Sequence, residues 1–122
     1  MTKAGKEGNI IYARATIIHI YPDRIEEGVK LYRKSVIPEA KKQKGYCGDI
    51  LLIDRKTGNG NSITFWNSEK DAIANEENCY YQEQIVKFIP FYTAPPIREG
   101  YEVRINTFAD PAKKKPSKKA KS

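Results

Sequence analysis

A protein that moves protons or grips a flat aromatic needs three things: a group that titrates near neutrality, hydroxyls that donate without ionising, and large rings. This chain offers a small set of each. His19 is the single histidine, and an imidazole is the side chain suited to a general base near neutral pH. Its competing role is that of a hydrogen-bonded residue on an apolar strand face. Trp66 is the single tryptophan; such an indole either fills a core or forms a wall on which a planar ligand stacks. Tyr46, Tyr80, Tyr81 and Tyr92 bring polar-tipped rings close to expected helix ends, where some fill the core and others donate to a ligand oxygen. Cys47 and Cys79 have no basic or metal-ligand neighbour in sequence and read as small buried hydrophobes. Glu76-Glu77 reads as a solvated helix face. The chain shows no phosphate loop, dinucleotide fingerprint, metal motif or recognisable carboxylate pair, so no cofactor is expected.

The elements that must position these residues are legible as periodicities. Residues 10–21 alternate as a strand, with Ala13, Ala15, Ile17 and His19 on one face and Tyr12, Arg14, Thr16, Ile18 and Ile20 on the other. After Pro22, Asp23 and Glu26 have the spacing of a helix cap. Ile25, Val29, Tyr32 and Val36 then form one helical stripe, which Pro38 is expected to break or restart. Residues 47–54 and 62–66 are apolar runs joined by Thr57-Gly58-Asn59-Gly60, the turn chemistry of a hairpin. In the first run Cys47, Leu51 and Ile53 are expected on one face, with Ile50 and Leu52 on the other. Ser68 stands three residues before Asp71 and predicts a helix running to about Asn78. Tyr81, Ile85, Phe88 and Tyr92 make a second helical stripe, and Pro95-Pro96 ends it. Residues 97–107 alternate as a last strand.

The order β-α-β-β-α-β predicts an α+β, ferredoxin-like sandwich: an antiparallel four-stranded sheet with helices on one face. Two helices cover one face only, yet several strands are apolar on both. A second copy of the same sheet is the simplest cover, so the pattern predicts a homodimer.

Composition narrows the function classes. A net charge of +7 suggests a nucleic-acid partner until it is localised: six lysines and no acid lie in residues 112–122, and the body of the chain is nearly neutral. The expected organisation is a flexible N-terminus over 1–8, a folded domain over 9–108 and a disordered lysine-rich tail over 109–122. The tail could contact nucleic acid weakly or act only as a solubilising terminus. No run approaches the ~20 apolar residues of a membrane span, the first residues are polar and unlike a secretory leader, and two distant cysteines favour a reducing, cytoplasmic compartment.

With the elements placed, Pro38 through Gly45-Tyr46, the hairpin from Gly48 to Asp54 with its Thr57-Gly58-x-Gly60 turn, and Trp66-x-Ser68 with Ala72 resemble the antibiotic biosynthesis monooxygenase (ABM) domain family over roughly residues 10–105. The resemblance implies a dimeric α/β barrel, two ferredoxin-like sheets packed face to face, with a pocket between helices and sheet. The activities it implies are cofactor-independent oxygenation of aromatic polyphenols and quinols, or oxidative heme degradation. Heme-degrading members bind iron through a helical histidine after the tryptophan and carry an asparagine on the first strand. Here no histidine follows Ser68, and the first strand offers Tyr12, Arg14 and Thr16. Only Trp66 carries over, which sets heme chemistry aside, since an iron ligand is hard to replace.

The expectation is therefore a cofactor-independent monooxygenase acting on a small phenolic or quinol compound. Trp66 would position the substrate, with His19 or a tyrosine assisting proton transfer. The alternative is a non-catalytic dimer that binds a small aromatic molecule or a partner.

Overall fold

The computed structural model describes residues 10–108; the expected flexible N-terminus and the lysine-rich tail lie outside the described residues. Four strands form one antiparallel sheet: β1 (Tyr12–His19), β2 (Tyr46–Ile53), β3 (Asn59–Trp66) and β4 (Ile97–Glu102), in the order β2-β3-β1-β4. The helices α1 (Ile25–Leu31), α2 (Ile37–Ala40), α3 (Glu69–Glu77) and α4 (Tyr80–Phe88) complete the α+β, ferredoxin-like arrangement. No helix among the described residues is long and apolar enough to cross a membrane.

The sheet registers decide which side chains share a face. Arg14 lies opposite Thr64 and Gly100, and Thr16 lies opposite Ser62 and Arg98. Leu51 lies opposite Ser62 on the other side of β3. These residues face the helices. Ala13, Ala15 and Ile17, with their partners Phe65, Ile63 and Ile97, face away from them, as do Ile50 and Leu52.

The β2–β3 hairpin closes through residues 54–58. Asp54 Oδ1 accepts from the backbone N–H of Lys56 at 2.8 Å, and the Asp54 carbonyl accepts from Gly58 N–H at 2.8 Å. Gly58 takes φ +81, and a Cβ there would lie 1.8 Å from the carbonyl oxygen of Ile20. Only glycine satisfies both the positive φ and the close approach. At the other end of the hairpin, Ser68 Oγ accepts from Asp71 N–H at 3.0 Å and caps α3, as its spacing predicts.

Three expectations are corrected. The first strand is shorter than residues 10–21, with Ile20 reduced to a single bridge to Tyr92. The last strand stops at Glu102, although Val103 N–H still donates to the Ile11 carbonyl at 2.7 Å. Asp23 caps nothing: Pro22 opens a short 3-10 turn, Pro22–Arg24, with no side-chain cap bond. At Pro38 the expected restart is the outcome, with the proline in the first turn of α2. The turn before it widens to a π turn over Tyr32–Val36, with Ile37 N–H bonding to the Tyr32 carbonyl. A proline ring conflicts with the carbonyl four residues back, and the wider turn relieves that while the helical path continues.

One irregularity was invisible to a strict alternation. Tyr46 pairs with Trp66, but Gly48 pairs with Phe65, so β2 carries a bulge at Cys47. Tyr46 therefore takes the helix-facing place expected for Cys47. Tyr46 and Asp49 end up on the same face although they are three residues apart.

Candidate functional site

A cavity of about 60 Å³ lies between the helix-covered face of the sheet and the helices above it. β1 supplies Thr16 and Ile18, with Ile20 just beyond it; β2 supplies Leu51 and Ile53, β3 supplies Ser62 and Thr64, and β4 supplies Arg98. The helical stripe Tyr81, Ile85, Phe88 and Tyr92 lines the opposite wall together with Tyr80 and Gln84, while Tyr32 and Val36 enter from the π turn. The stripe read from the sequence is thus the stripe that faces the site. Around Phe88 the rings pack on one another: Tyr92 stacks at 6.4 Å between centroids, and Tyr32 meets it edge-on at 6.3 Å.

The closed volume is below the ~150 Å³ of an apolar cavity known to take benzene. On the far side of Tyr32, Leu51 and Ile53, which line both spaces, a groove of about 430 Å³ opens to the surface.

One end of the cavity is cationic. Glu76 Oε2 accepts from Arg14 Nη2 at 2.7 Å and from Arg98 Nε at 3.0 Å. Arg98 Nη1 also donates to Thr16 Oγ1 at 2.8 Å, and its guanidinium lies 3.8 Å from the centroid of the Tyr81 ring. Burial lowers the pKa of Arg98, and the Glu76 carboxylate works against that shift. One carboxylate between two guanidiniums leaves this end positive. Gly100 makes the arrangement possible, because a Cβ there would sit 2.4 Å from Arg14 Nη1 and from the Tyr12 hydroxyl. Glu76, read from the sequence as a solvated helix position, is instead the anchor of both arginines. Beside them stands Asn75, 3% exposed, with Oδ1 buried and without a hydrogen-bond partner.

A carboxylate lies one layer behind the other end. Asp49 faces the helices from β2, near the hydroxyls of Tyr46 and Tyr32. Burial raises its pKa, while those two hydroxyls and Lys41 pull it back down. Its Oδ2 is buried without a partner that meets hydrogen-bonding geometry. Tyr32 and Tyr46 are pushed far up, first by burial and then by the Asp49 charge; Tyr80 is raised for the same reasons to about 12. Tyr92 is raised by burial and by Tyr81. These tyrosines stay protonated at neutral pH and act as donors. Tyr32 Oη and Ser62 Oγ, both on the cavity wall, lie 2.9 Å apart.

Of the residues singled out in the sequence, Tyr80, Tyr81 and Tyr92 line the cavity, while Tyr46 stands behind it beside Asp49. Trp66 does not line it. The indole is 0% exposed, lies edge-on to Tyr46 at 6.2 Å and 82°, and leaves Nε1 without a partner. Trp66 is a core residue here, two positions along β3 from Thr64, because it is enclosed on every side. His19 is the larger correction. It faces away from the helices, its Nδ1 is 2.7 Å from Asn59 Oδ1, and a full sheet separates it from the cavity. It has no route to a proton inside the cavity of its own chain. Arg98, Asn75, Tyr32 and Asp49 carry the polar chemistry, and the sequence reading had passed over all four as site residues. Among the described residues no group of three or more histidine, cysteine, aspartate or glutamate side chains is placed to hold a metal ion. Cys47 and Cys79 form no disulfide.

No protein-family model matches the chain. Two uncharacterized proteins of Mycobacterium tuberculosis strain H37Rv share part of it. Rv2557 is 36% identical over 53 residues, covering 43% of this chain and 24% of that protein. Rv2558 is 34% identical over 59 residues, covering 48% and 25%. The chain thus spans about a quarter of the length of the curated relatives it matches.

Solved structures resemble it over most of its length. A monooxygenase from the gene ActVA-Orf6 of Streptomyces coelicolor, in complex with the ligand nanaomycin D, superposes with a TM-score of 0.66 at 11% identity, covering 89% of this chain and 100% of that one. An antibiotic biosynthesis monooxygenase gives 0.61 at 13%, covering 75% and 97%. A dimeric ferredoxin-like protein from an uncultured marine organism gives 0.62 at 7%, covering 83% and 94%. At these identities the likeness is one of fold, and the fold is that of antibiotic biosynthesis monooxygenase proteins.

Proposed function

We propose that this protein is a cofactor-independent monooxygenase that oxidises a small phenolic or quinol-type compound, and that it works as a homodimer in the cytoplasm. The observation that carries the reading is the composition of the cavity: aromatic and aliphatic walls, with Asn75 and Arg98 at one end. Such walls take an aromatic ring. The unpartnered Asn75 Oδ1 calls for a donor such as a phenolic hydroxyl, and the guanidinium at the same end favours an oxygen that becomes negative. The likeness in fold to a monooxygenase solved in complex with nanaomycin D supports the same reading.

The chemistry needs little from the protein beyond this. An anthrone-type substrate loses a proton and becomes electron-rich enough to reduce dioxygen. One oxygen atom enters the ring carbon as a carbonyl, and the other leaves as water with the two hydrogens that carbon carried. Holding the ring, stabilising the anion and excluding water are what such a cavity can supply.

The homodimer rests on the open face of the sheet, where Leu52 and Ile97 are each 51% exposed beside Ile50, Ile63 and Phe65. The cytoplasmic placement rests on two thiols that form no disulfide.

Oxygen uptake with a panel of anthrones and hydroquinones tests the enzyme reading. Wild type should turn over at least one anthrone to its quinone, and Arg98→Met should lose about 100-fold in kcat/KM. Saturable binding across the panel with no turnover above buffer overturns the reading.

A further inference from the structure

The cationic end of the cavity makes two different demands on a ligand. Arg98 lines the cavity and is held there by Glu76, through Nε at 3.0 Å, and by Thr16, through Nη1 at 2.8 Å. Arg14 meets the same Glu76 oxygen at 2.7 Å. The side chains of Arg14 and Arg98 are only 16% and 15% exposed. Two guanidiniums against one carboxylate leave this end one negative charge short. Glu102, on the same strand as Arg98, is exposed and pairs with Arg104 instead. Burial pulls the pKa of Arg98 down even with Glu76 beside it, so a carboxylate shared between two arginines does not offset the lost solvent. The first demand is for an anion.

Asn75 makes the opposite demand. It precedes Glu76 on α3, lines the same cavity, and is 3% exposed, with Oδ1 buried and without a hydrogen-bond partner. An amide oxygen only accepts, so it repels a carboxylate and calls for an O–H or N–H. A lone phenol cannot meet both demands. Neutral, it brings a donor without charge; ionised, it brings charge without a donor. Two groups are needed, one ionised and one protonated at neutral pH. A carboxyl, with a pKa of about 4, and a phenolic hydroxyl, at about 10, are such a pair.

We infer that the ligand of this cavity is a hydroxylated aromatic carboxylate, whose carboxylate pairs with Arg98 and whose hydroxyl donates to Asn75 Oδ1. The aromatic ring rests on the proposed reading of the cavity walls; the carboxylate and the hydroxyl rest on Arg98 and Asn75. Guanidinium and carboxylate form a strong, directional pair where solvent is scarce. The unmet acceptor of Asn75 penalises every ligand that lacks a donor. Together they make the two residues specificity determinants for that class of compound.

The test measures binding by isothermal titration calorimetry at neutral pH and needs no turnover. Its probes are single rings: benzoate carries the charge alone, phenol the donor alone, and the three hydroxybenzoates both. At least one hydroxybenzoate should bind about tenfold or more tighter than either benzoate or phenol. Arg98→Met should abolish its advantage over phenol, and Arg98→Lys should restore part of it. Asn75→Leu should abolish its advantage over benzoate. The wild-type selectivity decides even where a variant fails to fold. Phenol or benzoate binding as tightly as every hydroxybenzoate overturns the inference. So does a selectivity that survives both Arg98→Met and Asn75→Leu, or no saturable binding of any probe up to millimolar concentration.

Oxygen uptake keeps this result apart from the oxygenase reading. Selective binding of a hydroxybenzoate by a protein that consumes no oxygen with 2,5-dihydroxybenzoate or any anthrone upholds the ligand class and overturns the oxygenase. Oxygen uptake with neutral anthrones by a protein that binds phenol as tightly as the hydroxybenzoates does the reverse.

Discussion

The two faces of the sheet carry different mixtures. Under the helices Arg14, Thr16, Asp49, Ser62, Thr64 and Arg98 stand among Ile18, Leu51, Ile53 and Trp66; on the uncovered side Ile17, Ile50, Ile63 and Phe65 stand beside His19, Asn61 and Glu99. The arrangement has a cost on both sides. Polar groups under the helices need partners, and Asn75 Oδ1, Asp49 Oδ2 and Trp66 Nε1 have none. Apolar groups on the open side need cover, which a second sheet would supply. On the proposed reading, the covered face serves a guest and the open face a copy of the same sheet.

Substitutions can break that contrast, beginning with the largest effect. Trp66→Ala should cost about 3–5 kcal/mol, as a fully enclosed aromatic does, while Trp66→Phe should leave kcat/KM within about threefold. Thermal denaturation and steady-state kinetics of the pair check it; a Trp66→Phe protein that folds but loses turnover would put the indole back in the site.

Next comes the open face. Ile63→Lys places a charge in the middle of the proposed sheet-to-sheet contact and should raise the dimer Kd more than 100-fold, because an unpaired buried cation is not tolerated. Sedimentation should then give the 13.9 kDa chain where wild type gives twice that mass. The smallest effect belongs to His19→Ala, which removes only the contact with Asn59 and should change stability by less than about 1 kcal/mol. Turnover should stay within twofold at every pH, since His19 and the cavity are on opposite faces.

Much of the frame was readable because its signals are local. Ser68 and Asp71 form a cap from spacing alone, the residues from Thr57 to Gly60 mark a turn, and the stripe from Tyr81 to Tyr92 repeats at helical period. The site was less readable, for identifiable reasons. Asp49 and Arg98 are single charged residues in strands, and nothing in a strand's own pattern tells a paired buried charge from a solvated one. Glu76 looked like surface because its partners are 62 and 22 residues away. Asn75 gained its meaning from the cavity beside it. Trp66 and His19 drew attention through rarity, which is a property of composition and carries no information about direction. The helix-facing place expected for Cys47 falls to Tyr46 because alternation was counted straight through the bulge.

That bulge has a counterpart in the π turn over Tyr32–Val36, and the two irregularities have a joint consequence. Each amounts to a single residue more than a regular element would hold, one in a strand and one in a helix. Between them they place Tyr46 and Tyr32 on the helix-covered side of the sheet. Drawing Cys47 into regular pairing would leave every residue type in place yet turn Tyr46 to the open side, whereas deleting Cys47 would keep Tyr46 opposite Trp66. In such a fold, a one-residue irregularity redirects a side chain in a way that a comparison of aligned residue types would overlook.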